Sequence, residues 1–428
     1  MMRPRAGLAA EASTEVRPEA STGASTAADG RTSVEATGAP SPGQSTSKLH
    51  SLTGLRFIAA FLVVLCHVGI NLLPNVAKDQ VFVLHVFYGF GSVGVSFFFI
   101  LSGFVLTWVA RRTDTVPQFW RRRFFKIYPN HLVMFVAAII LAVTAAHALS
   151  TRDTLATLFL VHAWIPDQQL LFNLWSNTPT WSLSCELLFY LAFPFVLTLL
   201  RKVRPERLWR GFWLTFAAIC AVPFIALLLP SGGELHRGTG LPWLHMWFMT
   251  FFPPVRMLEF VLGIFTALIV INGRWKKWPM PVAVIVAFVA LIAAGGATPP
   301  ILGFVAVSAL PLALLVGATA TADINGRGTS FGSRAMVFLG EISFALYLVH
   351  WLVVAYGWIG RHSPTWGADP ADAPTTWGTV LAYSGLTIVT SLVLAWLLYT
   401  LVERPIMRHW SRPAAKRETP EAVGADRG

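Results

Sequence analysis

The amino-acid sequence predicts an all-α fold: a polytopic integral membrane helical bundle of about ten transmembrane helices, plus one short re-entrant or interfacial segment. Two observations support this prediction. Of the 428 residues, 55% are hydrophobic and only 13% are charged, and the mean hydropathy is +0.59, a composition that excludes an ordinary soluble enzyme. The basic residues lie in short segments between long apolar runs, which is the pattern of membrane topology.

Ten apolar runs are long enough to cross a hydrocarbon core of about 30 Å. In chain order they are residues 52–73, 83–110, 127–148, 181–200, 211–230, 253–271, 279–296, 299–320, 336–359 and 377–401. A further apolar stretch, 154–165, is too short to cross. We therefore expect it to form the re-entrant or interfacial segment, on the outer side.

The domain organisation follows from the position of these runs. Residues 51–405 contain all of them and form one transmembrane domain. Residues 1–50 are dominated by Ala, Ser, Thr, Gly, Glu and Pro, so we expect a disordered cytoplasmic tail. Residues 406–428 are expected to form a second, basic and disordered cytoplasmic tail.

The distribution of basic residues predicts the orientation in the membrane. Of the 33 Lys and Arg residues, 27 fall in the termini and in the alternate loops on one side, and four fall in the loops on the other. Because cytoplasmic loops carry the excess of Lys and Arg, we predict a multi-pass plasma-membrane protein with both termini in the cytoplasm. Despite the net charge of +12, this pattern argues against a nucleic-acid partner.

Several ionisable residues lie inside the predicted spans, where such groups usually mark a functional site. Arg56 and His67 share the first span, and their spacing places them on one helix face about 16 Å apart. The number of residues from each span end estimates depth in the membrane. It places three more ionisable groups in the outer half of the membrane with His67, namely Glu186, Glu259 and His350. The sequence thus predicts a cationic cytoplasmic mouth, formed by Arg56 and Arg121–Arg123, and a deeper layer in which Glu186 could contact His67.

Each of these residues also has a purely structural interpretation. Arg56 could extend to the interface, and membrane histidines often make neutral hydrogen bonds between helices. Glu259 has a potential partner in Arg256, three residues earlier on the same helix face. The three cysteines all fall inside apolar runs, so we predict neither a disulfide framework nor a metal site.

Five segments, taken in order, resemble the membrane acyltransferase 3 family of O-acyltransferases. They are Leu52–Phe57 leading to His67, Phe97–Phe104, Arg121–Pro129, Trp181–Glu186 with Phe189-Tyr190 and Phe193-Pro194, and Leu339–Ser343 with Leu346–His350. The likeness extends from about residue 51 to residue 405. One departure is Leu352, which stands where the family often has proline, so a kink in that helix remains an open question.

The resemblance implies an enzyme that moves an acyl group from cytoplasmic acyl-CoA to a hydroxyl of an acceptor. It makes His67 the catalytic candidate, with Glu186 orienting the imidazole or stabilising its charged form. Acyl-CoA would be a cosubstrate, with no bound cofactor. The residues expected to bind this donor are Arg56, Ser102, Arg121, Arg122 and Arg123, and those expected near the acceptor or behind the site are Glu259, Tyr347 and His350.

Three questions remain open from the sequence: the role of His67, the class of the acceptor and the class of the protein. His67 could act as a general base, or it could carry the acyl group itself. The acceptor could be a macrolide, a sugar or another secondary metabolite, because residues 126–131 and 252–260 resemble family members that acylate such compounds. It could instead be a cell-surface polysaccharide or lipid-linked glycan. A proton-coupled transporter is a third reading, disfavoured because no second copy of the arginine-to-histidine pattern occurs.

Overall fold

A computed structural model describes residues 49–76, 81–111, 114–172, 175–236, 240–276, 278–296, 303–362, 373–374 and 376–410. Within these ranges the regular elements are helices, which confirms the all-α prediction. Most of the two predicted tails, residues 1–48 and 411–428, lies outside the described residues.

The described ranges contain fifteen α-helices. They are α1 (His50–Val76), α2 (Val81–Val109), α3 (Val116–Thr144), α4 (Thr151–Leu158), α5 (Gln168–Leu171), α6 (Trp181–Leu200), α7 (Leu208–Ala226), α8 (Trp243–Thr250), α9 (Pro253–Ile271), α10 (Met280–Gly296), α11 (Gly303–Ile324), α12 (Arg334–Tyr356), α13 (Trp358–Arg361), α14 (Trp377–Leu398) and α15 (Arg404–Trp410). A π-helical turn, Tyr399–Glu403, joins α14 to α15.

Nine helical stretches among the described residues are long and apolar enough to cross a membrane. Eight correspond to α1, α2, α3, α6, α7, α11, α12 and α14 with their short extensions, and the ninth combines α8 and α9. The tenth predicted run is α10, an apolar helix of 17 residues that is somewhat short of the usual spanning length of about 20. The helix α12 runs from Arg334 to Tyr356, so Leu352 lies inside an unbroken helix.

The boundaries differ from the predicted ones by a few residues in most spans, and two of the differences bear on the site. The helix α3 begins at Val116, where a capping box between Thr115 and Gln118 and a proline in the first turn start it. Arg121–Arg123 therefore lie within the third span rather than before it. At the other terminus, α15 continues the chain in helical form to Trp410, so the first residues of the expected C-terminal tail are helical.

The described loops group at two ends of the bundle, and the contacts below join loops that the charge pattern assigns to the same side. At one end, Arg274 forms an ion pair with Glu206 (2.7 Å), and Arg201 donates a hydrogen bond to the carbonyl of Ala110. At the other end, Trp243 donates to the carbonyl of Pro166 and Tyr356 to that of Trp175. We call these the basic end and the opposite end.

The segment after α3 has the character of a re-entrant turn. The carbonyl of Leu158, at the end of α4, accepts hydrogen bonds from Tyr128 (3.4 Å) and His131 (3.2 Å) of α3. His131 is about 20 Å from the opposite end of α3 by helical rise. The segment thus extends into the bundle, which favours the re-entrant alternative for residues 154–165.

The helices α2 and α9 cross in close contact through two glycines. A Cβ added to Gly103 would lie 2.0 Å from the carbonyl oxygen of Phe260, and one added to Gly263 would lie 1.9 Å from that of Ile100. Small residues at such crossings let two backbones approach closely. This crossing fixes α2, and with it Ser102, relative to the rest of the bundle.

Gly103→Ala is therefore expected to destabilise the protein, because the added methyl group would force the two backbones apart. We expect a loss of about 1–3 kcal/mol in the free energy of unfolding, measured by thermal unfolding of the purified protein in detergent. The matched control is Gly385→Ala, also within a spanning helix, where an added Cβ meets no atom within 4 Å. An equal loss of stability in both variants would contradict this account of the crossing.

Candidate active site

A cavity of about 850 Å³ lies between α1, α2, α3, α6 and α12. Five residues predicted from the sequence to belong to the site line it: Arg56, Ser102, Arg123, Glu186 and Tyr347. Most of the remaining lining is apolar and aromatic, including Phe98, Phe99 and Phe344. The structure thus brings together most of the predicted donor-binding residues in one compartment.

The side of the cavity that faces the basic end carries three cationic side chains. The Arg56 side chain forms no hydrogen bond or ion pair with the residues that the structure describes. Arg123 lies over the rings of Phe119 and Tyr190 at 5.7 and 5.8 Å, and its buried Nε has no hydrogen-bond partner there. Lys126 forms an ion pair with Glu403. These charges suit an anionic ligand.

The other two arginines of the run Arg121–Arg123 point elsewhere. Arg121 donates from Nε to the carbonyl of Trp410 (3.0 Å), and Arg122 forms an ion pair with Asp114 (2.7 Å). Neither lines the 850 Å³ cavity. Only Arg123 of the three therefore occupies the position that the sequence predicted for all of them.

His67 is paired with His350. The His67 Nδ1 and His350 Nε2 atoms are 2.9 Å apart, and His350 Nδ1 lies 3.2 Å from the carbonyl oxygen of Leu346. Because a carbonyl only accepts, His350 Nδ1 carries a proton, and its Nε2 then accepts from His67 Nδ1. In neutral His67 this leaves Nε2 with a free lone pair, as a general base requires.

Glu186 does not contact His67, contrary to the predicted pairing. Its carboxylate accepts a hydrogen bond from the Tyr190 hydroxyl (3.0 Å) and lines the cavity with the cations. Helical rise puts Glu186 about 20 Å and His67 about 25 Å from the basic end, so the predicted depths were close. The prediction failed because depth along two helices does not determine which way their side chains face.

The histidine pair lies just beyond the deep wall of the cavity. Tyr347 forms part of that wall, and its ring centroid is 5.9 Å from that of His350. The Tyr347 hydroxyl donates to the carbonyl of Pro179 (2.8 Å) and lies 2.7 Å from the Ser182 hydroxyl. On the other side, the ring of Trp351 packs edge-on against His67. Tyr347 therefore connects the wall of the cavity to the pair.

Glu259 occupies a different position, in an ion pair with Arg256 at 2.9 Å. Both side chains are 1% exposed, and Arg256 also reaches the Ser96 hydroxyl (3.2 Å) and lies over the ring of Phe99. Phe99 lines the cavity, so the ion pair supports the cavity wall from behind. Glu259 is thus held by its own helix neighbour, as the structural interpretation anticipated.

A second, open cavity of about 1440 Å³ adjoins the first at the basic end. Arg56 and Lys126 line both cavities, so these two residues form the throat between them. Glu403, which pairs with Lys126, also accepts a hydrogen bond from Asn130 (2.9 Å) and is 3% exposed. This buried network anchors the π-helical turn that leads into α15 to α3, beside the throat.

Sequence reasoning did not assign a role to several residues that line the site. Lys126 and Tyr190 both occur inside the segments that carry the family resemblance, and Ser182 does as well. Their position inside these segments was the sequence feature that could have identified them as site residues. Glu403 carried a weaker signal, a carboxylate at the end of the last apolar run, and its partner became apparent only from the packing of α15 against α3.

Comparison with known proteins was made with this geometry in hand. The family model described as "Acyltransferase domain" matches residues 49–399. Acyltransferase MdmB of Streptomyces mycarofaciens is 42% identical over 375 residues, which cover 84% of this chain and 92% of that protein. O-acetyltransferase OatA of Staphylococcus aureus is 29% identical over 177 residues, 37% of this chain and 26% of that protein. No solved structure matches significantly.

Proposed function

This chain belongs to the acyltransferase domain family and is an O-acyltransferase, and from that premise we propose that its donor is acyl-CoA and its acceptor a hydroxyl of a macrolide, a sugar or another secondary metabolite. The observation that supports the donor is the cavity itself. Its cations lie toward the basic end and its deep wall adjoins the histidine pair. Coenzyme A carries phosphates at one end and the thioester at the other, in the same order.

His67 is the proposed general base. Its Nε2 takes the proton of the acceptor hydroxyl as that oxygen attacks the thioester carbonyl carbon. The carbon–sulfur bond then breaks, the electron pair leaves with the coenzyme A sulfur, and the proton on His67 passes to that sulfur. The products are the O-acylated acceptor and free coenzyme A, so atoms and charge balance.

His350 is the proposed partner of His67 in this step, in the place that the sequence prediction gave to Glu186. Its Nε2 accepts the hydrogen bond from His67 Nδ1, and its own Nδ1 is held by the carbonyl of Leu346. These two hydrogen bonds fix the tautomer of His67 and stabilise the imidazolium that forms during transfer, as the acid does in a catalytic triad.

Glu186 is better suited to the donor cavity than to proton transfer at His67. It lies among Arg56, Arg123 and Lys126 and holds the Tyr190 hydroxyl. One carboxylate among three cations limits their mutual repulsion while the cavity keeps a net positive charge. We propose that it positions Tyr190 and the cations around the pantetheine arm.

The acceptor proposal depends on sequence resemblance rather than on a contact in the cavity. Acyltransferase MdmB matches along almost its whole length, which supports acyl transfer, whereas OatA matches over about a quarter of its own. The acceptor class proposed is the one that the resemblance of residues 126–131 and 252–260 favours, a hydroxylated secondary metabolite. Membership of an acyltransferase family leaves the transporter alternative without support.

The orientation is part of the same proposal. The basic end carries the excess of Lys and Arg and the open cavity, and acyl-CoA is a cytoplasmic metabolite. We therefore place the basic end in the cytoplasm and the protein in the plasma membrane, with both termini cytoplasmic.

The proposal is tested with membranes from cells that express the chain. Acetyl-, propionyl- and butyryl-CoA are each supplied with a macrolide bearing free sugar hydroxyls, with a polysaccharide, or with no acceptor. Released thiol and the mass of the product are measured. We expect thiol release and a mass gain of one acyl group with the macrolide; acylation of the polysaccharide alone would replace the proposed acceptor.

A further inference from the structure

The open cavity at the basic end contains arginines that the mechanism does not use. Arg404 and Arg408 line it together with Arg56. Both lie on α15, four residues apart, and so occupy one face of that helix. None of the three guanidinium groups forms an ion pair or hydrogen bond with the residues that the structure describes.

The carboxylates of this cavity do not neutralise these arginines. Glu403 is engaged by Lys126 and Asn130. Glu341, the other acidic residue of the lining, accepts a hydrogen bond from the Tyr399 hydroxyl (3.2 Å). Three arginines therefore face one carboxylate, an arrangement that favours a ligand with several negative charges.

The position of α15 is well defined by its neighbours. The π-helical turn Tyr399–Glu403 precedes it, and the ion pair of Glu403 fixes its start. At its other end the carbonyl of Trp410 accepts from Arg121 (3.0 Å), and the ring of Trp410 packs against Phe125 at 5.8 Å. Both ends are held by α3, so the arginines remain over the throat.

We propose that this open cavity binds the phosphorylated nucleotide half of acyl-CoA through Arg404 and Arg408, while the acyl-pantetheine half passes between Arg56 and Lys126 into the deep cavity. The inference rests on the proposed donor and adds the subsite that recognises it. The two cavities share these two throat residues, so one elongated molecule spans both. Guanidinium groups bind phosphates by paired hydrogen bonds.

A rival basic cavity provides the matched control. A cavity of about 1620 Å³ also adjoins Arg123 and contains Arg111, Arg122 and Arg201. Arg122 is paired with Asp114, and Arg201 donates to the carbonyl of Ala110, so this site has fewer uncommitted cations. Arg111→Ala removes an exposed arginine there, at the same end of the bundle.

The test measures donor KM and kcat for Arg404→Ala, Arg408→Ala and Arg111→Ala in neutral detergent, with acetyl-CoA, 3′-dephospho-acetyl-CoA and acetyl-pantetheine. We expect each α15 variant to raise the KM for acetyl-CoA about tenfold and to leave both constants for acetyl-pantetheine unchanged. Arg111→Ala should behave as wild type. The acetyl-pantetheine reactions also show whether each variant is folded.

Three results in detergent would overturn the subsite. The first is an unchanged KM for acetyl-CoA in both α15 variants. The second is a rise in the KM for acetyl-pantetheine equal to the rise for acetyl-CoA. The third is a higher KM for acetyl-CoA in Arg111→Ala alone. If the KM changes appear only in vesicles that contain phosphatidylglycerol, the arginines bind lipid headgroups and the proposal is also wrong. Failure of the wild type to use any of the three thioesters would instead refute the proposed donor.

Discussion

His67→Ala is expected to lower the rate of acyl transfer by a factor on the order of 1,000, because general-base catalysis of this kind contributes roughly 100- to 10,000-fold. The KM for the donor should change little, since His67 is not among the residues that line the donor cavity. The measurement is the initial rate of product formation by purified enzyme at saturating acyl-CoA and acceptor. A matched control is His147→Ala, a histidine at the opposite end of the bundle, which should retain the wild-type rate.

The partner of His67 provides a second arm of the same experiment. His350→Phe removes the group that accepts from His67 Nδ1, and the loss of one hydrogen bond to a charged group predicts a decrease of about 10- to 100-fold. Glu186→Gln should instead alter the KM for the donor. Full activity in His67→Ala, or a loss in Glu186→Gln that equals that of His67→Ala at saturating donor, would contradict the assignment.

Arg56→Ala is expected to raise the KM for acyl-CoA by about 10- to 100-fold, because it removes a cation that has no protein partner among the described residues and that faces both cavities. The KM for the acceptor should change much less. The measurement is a pair of titrations, one of each substrate, with the other held at saturation.

Arg56→Lys is the control for this prediction. It keeps the charge but loses the paired hydrogen bonds of a guanidinium group, so it should recover part of the donor affinity. An effect of Arg56→Ala that is confined to the acceptor would contradict the placement of Arg56 at the throat. It would leave the role of His67 intact.

The fold was largely predictable because hydrocarbon imposes a strong constraint on sequence. Long apolar runs identified the spans, and the basic residues sorted the loops into two ends. The start of α3 was missed because the first three turns of that helix contain Arg121–Arg123 and Lys126, which hydropathy alone assigns to a loop. Capping residues and the proline near Val116 carried the missing information.

Five of the residues predicted for the site line one cavity, but the pairing of His67 with His350 was not predicted. Charge and depth identified Arg56, Glu186, His67 and His350 as residues inside the membrane with unusual chemistry. Which of them meet depends on the rotation of α1, α6 and α12 about their own axes. Close packing fixes such rotations: a Cβ added to Gly340 of α12 would lie 1.9 Å from the carbonyl oxygen of Thr53 in α1. A single sequence reports the face of each helix, but it does not report which neighbour that face contacts.

The most direct test of the central claim follows the thiol and the product in one reaction with purified wild-type enzyme. Acyl-CoA is supplied with and without the hydroxylated acceptor, and free coenzyme A and acylated acceptor are measured over the same time course. The account predicts equal amounts of both products, with formation that requires the acceptor and is lost in His67→Ala. Product formation at the wild-type rate in His67→Ala, or acceptor acylation without any release of coenzyme A, would contradict it.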